Sequence, residues 1–270
     1  MVQIHKLSIS HACRVAQISR TKFYYQKIKE DDTVIIDALN AEVDKHPRYG
    51  FWALFERLRR NGHCWNHKRV YRIYRALGLN LKRRTKKRIP DRIKQPLEEL
   101  KHPNTVWSMD FVSDALYDGR RFRMLTIIDE FNREAPDIEI DTSLPSMRVI
   151  RTLERIVGYR GMPNALRVDN GPEFISHQLQ EWCNGRHIAL YFNRPGKPTD
   201  NARIERFNGS LRRELLDAYL FMSLREVKIM ANEWIEDYNY NRAHSALGKL
   251  TPIEYLERYN QTTEKSTLEL

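Results

Sequence analysis

Between residues 8 and 77 the apolar positions recur at helical spacing, and beyond residue 103 they alternate as in strands. Ala12, Cys13, Val15 and Ala16 form one short apolar face, and Ser19 is placed to cap a second short helix over 20–25. Val34, Ile35, Ala38, Leu39 and Val43 predict an amphipathic helix over 33–45. Phe51, Leu54, Phe55 and Leu58 mark another, ended by Asn61-Gly62, and Asn66 caps one more that carries Val70, Ile73, Tyr74 and Leu77. Strands are predicted over 105–112 and 121–128, the second bounded by the turn Tyr117-Asp118-Gly119, with a weaker third over 134–140. A helix over 145–159, a buried strand over 165–168, a helix over 173–184 and a strand over 188–192 follow. Two long helices, 201–219 and 224–240, come next, and Thr251-Pro252-Ile253-Glu254 is a capping box with proline at the first helical position. Three antiparallel-looking strands, then helix-strand-helix-strand, then helices, make a mixed α/β domain behind a helical region.

Charge sharpens this division. The chain of 270 residues carries a formal net charge of +11, but residues 1–103 hold 24 Lys/Arg against 10 Asp/Glu, and the rest is slightly acidic. A basic segment attached to a body with its own carboxylates suits a phosphate-binding arm beside a charged site. Cys13, Cys64 and Cys183 are too far apart for a disulfide framework or a zinc pattern, which fits a reducing cytoplasm. No apolar run approaches the roughly 20 residues needed to cross a bilayer, and residues 1–10 lack the features of a signal peptide. The expected divisions are a helical DNA-binding region over 1–80, a basic linker over 81–103, an α/β core over 104–219 and a helical extension over 220–270.

The helix that follows Asn66 opens with His67, Lys68 and Arg69, with Arg72 one turn on. A helix-turn-helix presents the start of its second helix to base edges, so Lys68, Arg69 and Arg72 are candidate DNA contacts. In Lys82–Lys94 eight of thirteen residues are basic, and Arg83, Arg84, Lys86 and Lys87 are expected to lie along phosphates.

Three carboxylates are candidates for chemistry. Asp110 falls inside the apolar strand Val106–Val112, where a charge is costly unless something neutralises it; a salt-bridged or strand-end Asp is the alternative. Asp169 projects from the end of a strand into Asp-Asn-Gly-Pro-Glu-Phe, with Asn170-Gly171 as a tight turn and Pro172 suited to the start of the next helix; a plain turn-forming Asp is the alternative. Glu205 flanks the core stripe Ile204, Phe207, Leu211, Leu215 and Ala218, and Arg212 lies within about 20° of it on a helical wheel. That pair reads either as a surface ion pair or as a metal ligand with a phosphate-binding neighbour. Asp200 is assigned as the cap of this helix, and Asp114 is a weak alternative ligand. Arg242 and His244, in the tail, read either as functional residues or as satisfied surface or capping residues, the second being the expectation.

Together the strings Val-Trp-Ser-Met-Asp-Phe, Arg-Val-Asp-Asn-Gly-Pro-Glu-Phe and Gly-Lys-Pro-Thr-Asp-Asn-Ala-Arg-Ile-Glu-Arg-Phe-Asn, with 35 residues between Asp169 and Glu205, resemble the DD(35)E catalytic domain of retroviral integrases and insertion-sequence transposases. The tail Tyr-Asn-Tyr-Asn-Arg-Ala-His-Ser-Ala-Leu-Gly-Lys-Leu-Thr-Pro-Ile-Glu-Tyr is similar to orfB-type transposases in particular. The resemblance, covering about residues 45–258, implies a ribonuclease-H-like α/β fold with a five-stranded mixed sheet. It implies metal-dependent nicking of transposon ends and DNA strand transfer by Asp110, Asp169 and Glu205, with Asp110 shared between two ions. All-oxygen ligands favour Mg²⁺, with Mn²⁺ as a substitute. The expected partners are double-stranded DNA at transposon ends and target, a second copy of the chain on DNA, and an upstream-frame product, with no membrane. Lys197, in the loop 193–199, is expected to touch the DNA backbone and Arg212 to hold a phosphate. A nuclease of the same fold and a DNA-binding repressor are the rival readings.

Overall fold

The computed structural model describes residues 8–25, 31–81, 100–193 and 201–268, the side chains of 265–268 excepted. Five helices come first: α1 (Ile9–Val15), α2 (Arg20–Tyr24), α3 (Thr33–Lys45), α4 (Phe51–Arg60) and α5 (His67–Ala76). Ser19 and Asn66 cap α2 and α5 through their side chains, as the sequence predicts. Ile35 and Leu39 of α3, Leu54 and Leu58 of α4, and Val70 and Ile73 of α5 close a core of their own.

The α/β part carries β1 (Val106–Ala115), β2 (Arg121–Asp129), β3 (Asp137–Asp141), α6 (Ser146–Arg160), β4 (Ala165–Val168), α7 (His177–Asn184), β5 (Ala189–Phe192) and α8 (Ala202–Leu211). The strands form one mixed sheet in the order β3-β2-β1-β4-β5, antiparallel across β1–β2 and β2–β3 and parallel across β1–β4 and β4–β5. Alternation along β1 divides the core. Trp107 and Met109 join Leu153 and Ile156 of α6 and Leu179 of α7 on one face. Val112 joins Ile204, Phe207 and Leu211 of α8 on the other, over α9 (Leu224–Glu236). Asp110 therefore belongs to the face that α8 covers.

The boundaries differ from expectation where a side chain outside the element takes the backbone or re-aims it. The helix predicted from Glu173 begins at His177: Ser176 accepts the Leu179 N–H at 3.3 Å, and residues 171–175 form a turn that plugs Phe174 into the core. Strand β3 starts at Asp137 because both backbone groups of Ala135 are spent on the Asn239 side chain, at 2.9 and 2.8 Å. The long helices after α8 and α9 end in π-helical turns, Arg212–Leu216 and Asp237–Asn241. Each widened turn carries a buried polar residue pinned from elsewhere, Glu214 by Arg242 and Trp234, and Asn239 by Ala135.

The capping box at α10 (Pro252–Leu268) forms as expected, with Thr251 N–H on Glu254 at 2.8 Å and Glu254 N–H on Thr251 at 3.2 Å. It also ties the helical region to the C-terminal helices. Arg60 grips the Glu254 carboxylate with two hydrogen bonds, at 2.7 and 2.6 Å. Beside it Asp237 accepts from Tyr49 at 2.8 Å and from Arg57 at 2.6 Å. Among the described residues no helix is long and apolar enough to cross a membrane.

The Arg60 guanidinium, helped by the Thr251 N–H, pulls the Glu254 carboxyl down to about 2. A depressed carboxyl stabilises the fold above its unfolded value near 4.5 and loses that contribution as pH falls through about 2. Since the pair is partly exposed, Arg60→Ala is expected to cost about 1 kcal/mol at pH 7. In denaturant titrations the gap to wild type should narrow as pH drops below 4.5; a pH-independent gap would mean that packing, not the ion pair, carries the effect.

Candidate active site

Asp110 sits at the middle of β1, opposite Thr126 of β2, and points under α8. Its carboxylate accepts the Phe111 N–H at 2.7 Å and the Asn208 amide at 2.9 Å. The Thr126 hydroxyl lies between the Asp110 carbonyl, 3.1 Å away, and the Asn208 Oδ1, 2.9 Å away. Burial pushes the Asp110 carboxyl above its ordinary range, and the negative charges of Asp169 and Glu205 push it further, against the two donated hydrogen bonds. The two other candidate carboxylates are thus near enough to Asp110 for their charges to be felt.

Asp169 follows β4 directly, and its Oδ1 accepts the Gly171 N–H at 2.9 Å. A Cβ at Gly171 would stand 2.9 Å from that same oxygen, so the turn admits only glycine without moving the carboxylate. Glu205 lies in the first turn of α8, exposed, and forms no hydrogen bond or ion pair with a described residue. Neither Asp110 nor Asp169 forms an ion pair with a described Lys, Arg or His. Among the described residues no three acidic, His or Cys side chains are drawn together tightly enough to grip a single ion.

A second carboxylate explains how the three elements are held. Glu130, just past β2, is 1% exposed and receives the Ser108 hydroxyl, Arg203 and, at 3.4 Å, Arg167. Ser108, Arg167 and Arg203 each stand two positions before a candidate carboxylate, on β1, β4 and α8 respectively. Neither Glu130 nor Asn208 was singled out from the sequence. The signal for Asn208 was a polar residue three after Glu205 on the core flank of α8.

The remaining predicted residues divide. Arg212 turns along β1, with Nη2 on the Ser113 carbonyl at 2.7 Å and Nη1 3.5 Å from Asp114, so Asp114 faces an arginine. Arg69 and Arg72 both bind Asp32, at 2.9 and 2.8 Å, which ties α5 to the start of α3; Lys68 is exposed. Arg242, read from sequence as a surface or capping residue, is instead largely covered: it binds Glu214 and lies over the Tyr49 and Tyr238 rings. Arg83, Arg84, Lys86, Lys87, Lys197 and Asp200 lie outside the described residues.

Comparisons with known proteins agree with this architecture. Two family models described as "Integrase core domain" match residues 101–198 and 186–252, and one described as "HTH-like domain" matches 29–87. The chain is 38% identical over 262 residues to the "Insertion element IS407 uncharacterized 31.7 kDa protein" of Burkholderia multivorans, covering 96% of this chain and 95% of that one. It is 27% identical to the Escherichia coli protein named "Putative transposase InsK for insertion sequence element IS150", over 90% of this chain and 91% of the relative. Among solved structures, a chain of the simian T-cell lymphotropic virus intasome in complex with PP2A regulatory subunit B56 gamma aligns with a TM-score of 0.50 at 17% identity, over 81% of this chain and 73% of that one. An integrase core preceded by an HTH-like domain, with end-to-end similarity to insertion-element proteins, places this chain in the insertion-sequence transposase family.

Proposed function

We propose that the chain nicks transposon ends and joins them to target DNA, with Asp110, Asp169 and Glu205 as the catalytic carboxylates. The observation that carries this reading is the unbalanced charge at Asp110. Its carboxyl is raised by burial and by two neighbouring carboxylates, and the donors it meets are a backbone N–H and a neutral amide. An all-oxygen set with no cation paired to Asp110 or Asp169 among the described residues fits a hard divalent ion, Mg²⁺ or Mn²⁺, two being expected, held by Asp110, Asp169 and Glu205. Such ions supply charge neutralisation at the phosphorus and a more acidic attacking oxygen.

The chain's own residues orient these ligands. Asn208 and the Phe111 N–H fix the rotation of the Asp110 carboxylate, and the Gly171 N–H fixes that of Asp169. A water oxygen attacks in nicking and a DNA 3′-hydroxyl in joining; in each a new P–O bond forms as the 3′ P–O bond breaks. Arg212, half exposed at the end of β1, is the proposed phosphate contact, and the HTH-like domain with Lys68 the proposed duplex contact. At least two copies on DNA, in the cytoplasm, and an upstream-frame product complete the proposal.

In an assay with a labelled transposon-end duplex and Mg²⁺ or Mn²⁺, Asp169→Asn is expected to reduce both nicking and joining at least about 100-fold while duplex binding by anisotropy stays intact. Retained products would remove Asp169 from the chemistry, and loss of joining alone would favour a nuclease-like partition of roles. Gly171→Ala should weaken Mn²⁺ binding, followed by calorimetry, by about 10-fold or more, because its Cβ displaces the Asp169 oxygen; unchanged affinity would show that this oxygen is not a ligand. Glu130→Gln should destabilise the fold by about 3 kcal/mol in denaturant titration, since it leaves Arg203 and Arg167 facing a neutral amide. Unchanged stability would mean that the two arginines find other partners.

A further inference from the structure

The flank of α8 away from Asp110 opens onto a cavity of about 650 Å³. Five arginines and a histidine face it: Arg133 from the turn after β2, Arg203, Arg206 and Arg213 from α8 and its π-helical end, and Arg242 and His244 from the segment after α9. Among the described residues no Asp or Glu lines it. Among the described residues, Glu130 stands under Arg203 and Glu214 under Arg242, and Asp129 also acts on Arg133, so five cations are opposed by three anions. Arg206 is exposed and forms no ion pair with a described residue, and Arg213, 56% exposed, reaches Ser210 at 3.2 Å and Glu214 only at 3.5 Å.

Like charges packed this way repel, and the lining shows the cost. Burial and the neighbouring Arg203 bring the Arg133 guanidinium down to about 10. Burial, then Arg242, Arg133 and Arg206, hold His244 down at about 3, a neutral imidazole whose Nε2 is buried with no hydrogen-bond partner among the described residues. An anion in the cavity would relieve the repulsion and accept from several planar N–H forks at once, the geometry in which arginine binds phosphate.

We propose that this cavity binds a backbone phosphodiester of the DNA on which the chain acts, at a site separate from Arg212 and from the catalytic carboxylates. The inference rests on the transposase reading for the identity of the DNA. At about 100° per residue, Arg206 and Arg203 lie about 100° and about 160° round α8 from Glu205, and Asn208, which reaches Asp110, lies about 60° the other way. Glu205 thus stands on the ridge between the two. A strand crossing that ridge would have one phosphate in the arginine cavity and another at the carboxylates.

The test measures duplex affinity by anisotropy without divalent metal, so that no cutting occurs, between about 50 and 200 mM salt. The protein variants are Arg206→Gln with Arg213→Gln, the same pair changed to Lys, and Arg225→Gln on the exposed part of α9 as a control. The Gln pair should bind about tenfold more weakly, with the slope of log affinity against log salt reduced by about one. The Lys pair should recover the slope, and the control should keep it. An unchanged slope in the Gln pair overturns the proposal, whatever inorganic phosphate does in a parallel titration, because the anion bound would then not be DNA. A slope lost equally in the Lys pair or in the control overturns it too, as structural damage or general charge. Lost self-association with an unchanged slope assigns the cavity to an acidic face of a second copy and overturns it. Failure of the catalytic reading shows separately, as chemistry that survives Asp169→Asn, while wild-type protein that binds no duplex overturns both.

Discussion

The structure depends on one buried carboxylate, Glu130, that is matched by cations of the chain itself. Glu130 accepts from Ser108 of β1 and pairs with Arg167 at the end of β4 and Arg203 at the start of α8. Withdrawing a carboxylate and two guanidiniums from water costs several kcal/mol per ion, so the cluster is a poor source of net stability. What it supplies is register. In a strand, residues two apart share a face, so fixing Ser108 and Arg167 aims Asp110 and Asp169 toward the same side of the sheet. Fixing Arg203 sets the first turn of α8, and with it Glu205, over that side.

Glu130 and Asp110 are two acidic groups on one sheet treated in opposite ways, and the contrast separates scaffold from site. Glu130 is sealed off and matched by cations of the chain itself. Asp110 is half-buried, meets only neutral donors among the described residues and feels two further negative charges. A fold selected for stability alone would place an arginine beside Asp110, and several are close along the chain. Arg203, Arg206 and Arg212 flank Glu205 in sequence, yet none forms an ion pair with a candidate carboxylate. The helix turns its cations to the other flank and to its C-terminal end. Among the described residues, a deficit of positive charge at the carboxylates and an excess on the opposite flank of α8 follow from that one arrangement.

The strands of the sheet and the helices packed on it were legible because each is a local pattern of apolar spacing closed by a turn or a cap. Ser19, Asn66 and the Thr251–Glu254 box act where the sequence places them for the same reason. The readings that moved depend on partners distant in the chain. Asn208 meets Asp110 across 98 positions, and Ala135 meets Asn239 across 104, which delays β3. Arg69 and Arg72 have the residue types and position of base-reading side chains, and both also pair with Asp32, 37 and 40 residues earlier. Local spacing could not show that α3 begins beside α5.

The same pairing logic bears on how the helical domain meets the core. Its contacts with the C-terminal helices are mainly charged and polar: Arg60 on Glu254, Arg57 and Tyr49 on Asp237, and Lys249 on Glu56 at 2.6 Å. Among the described residues the cores of the two parts share no buried apolar cluster. The outer pairs, Arg60–Glu254 and Lys249–Glu56, are partly exposed and therefore weak and screened by salt, whereas Arg57–Asp237 is largely buried. Asp237 and Glu214 stand on the two π-helical turns, and Arg242 spans from Glu214 to the Tyr49 ring of the helical domain. Arg242 also lines the arginine cavity. An anion bound there would compete with Glu214 for that guanidinium, which couples occupancy of the cavity to the seam between the domains.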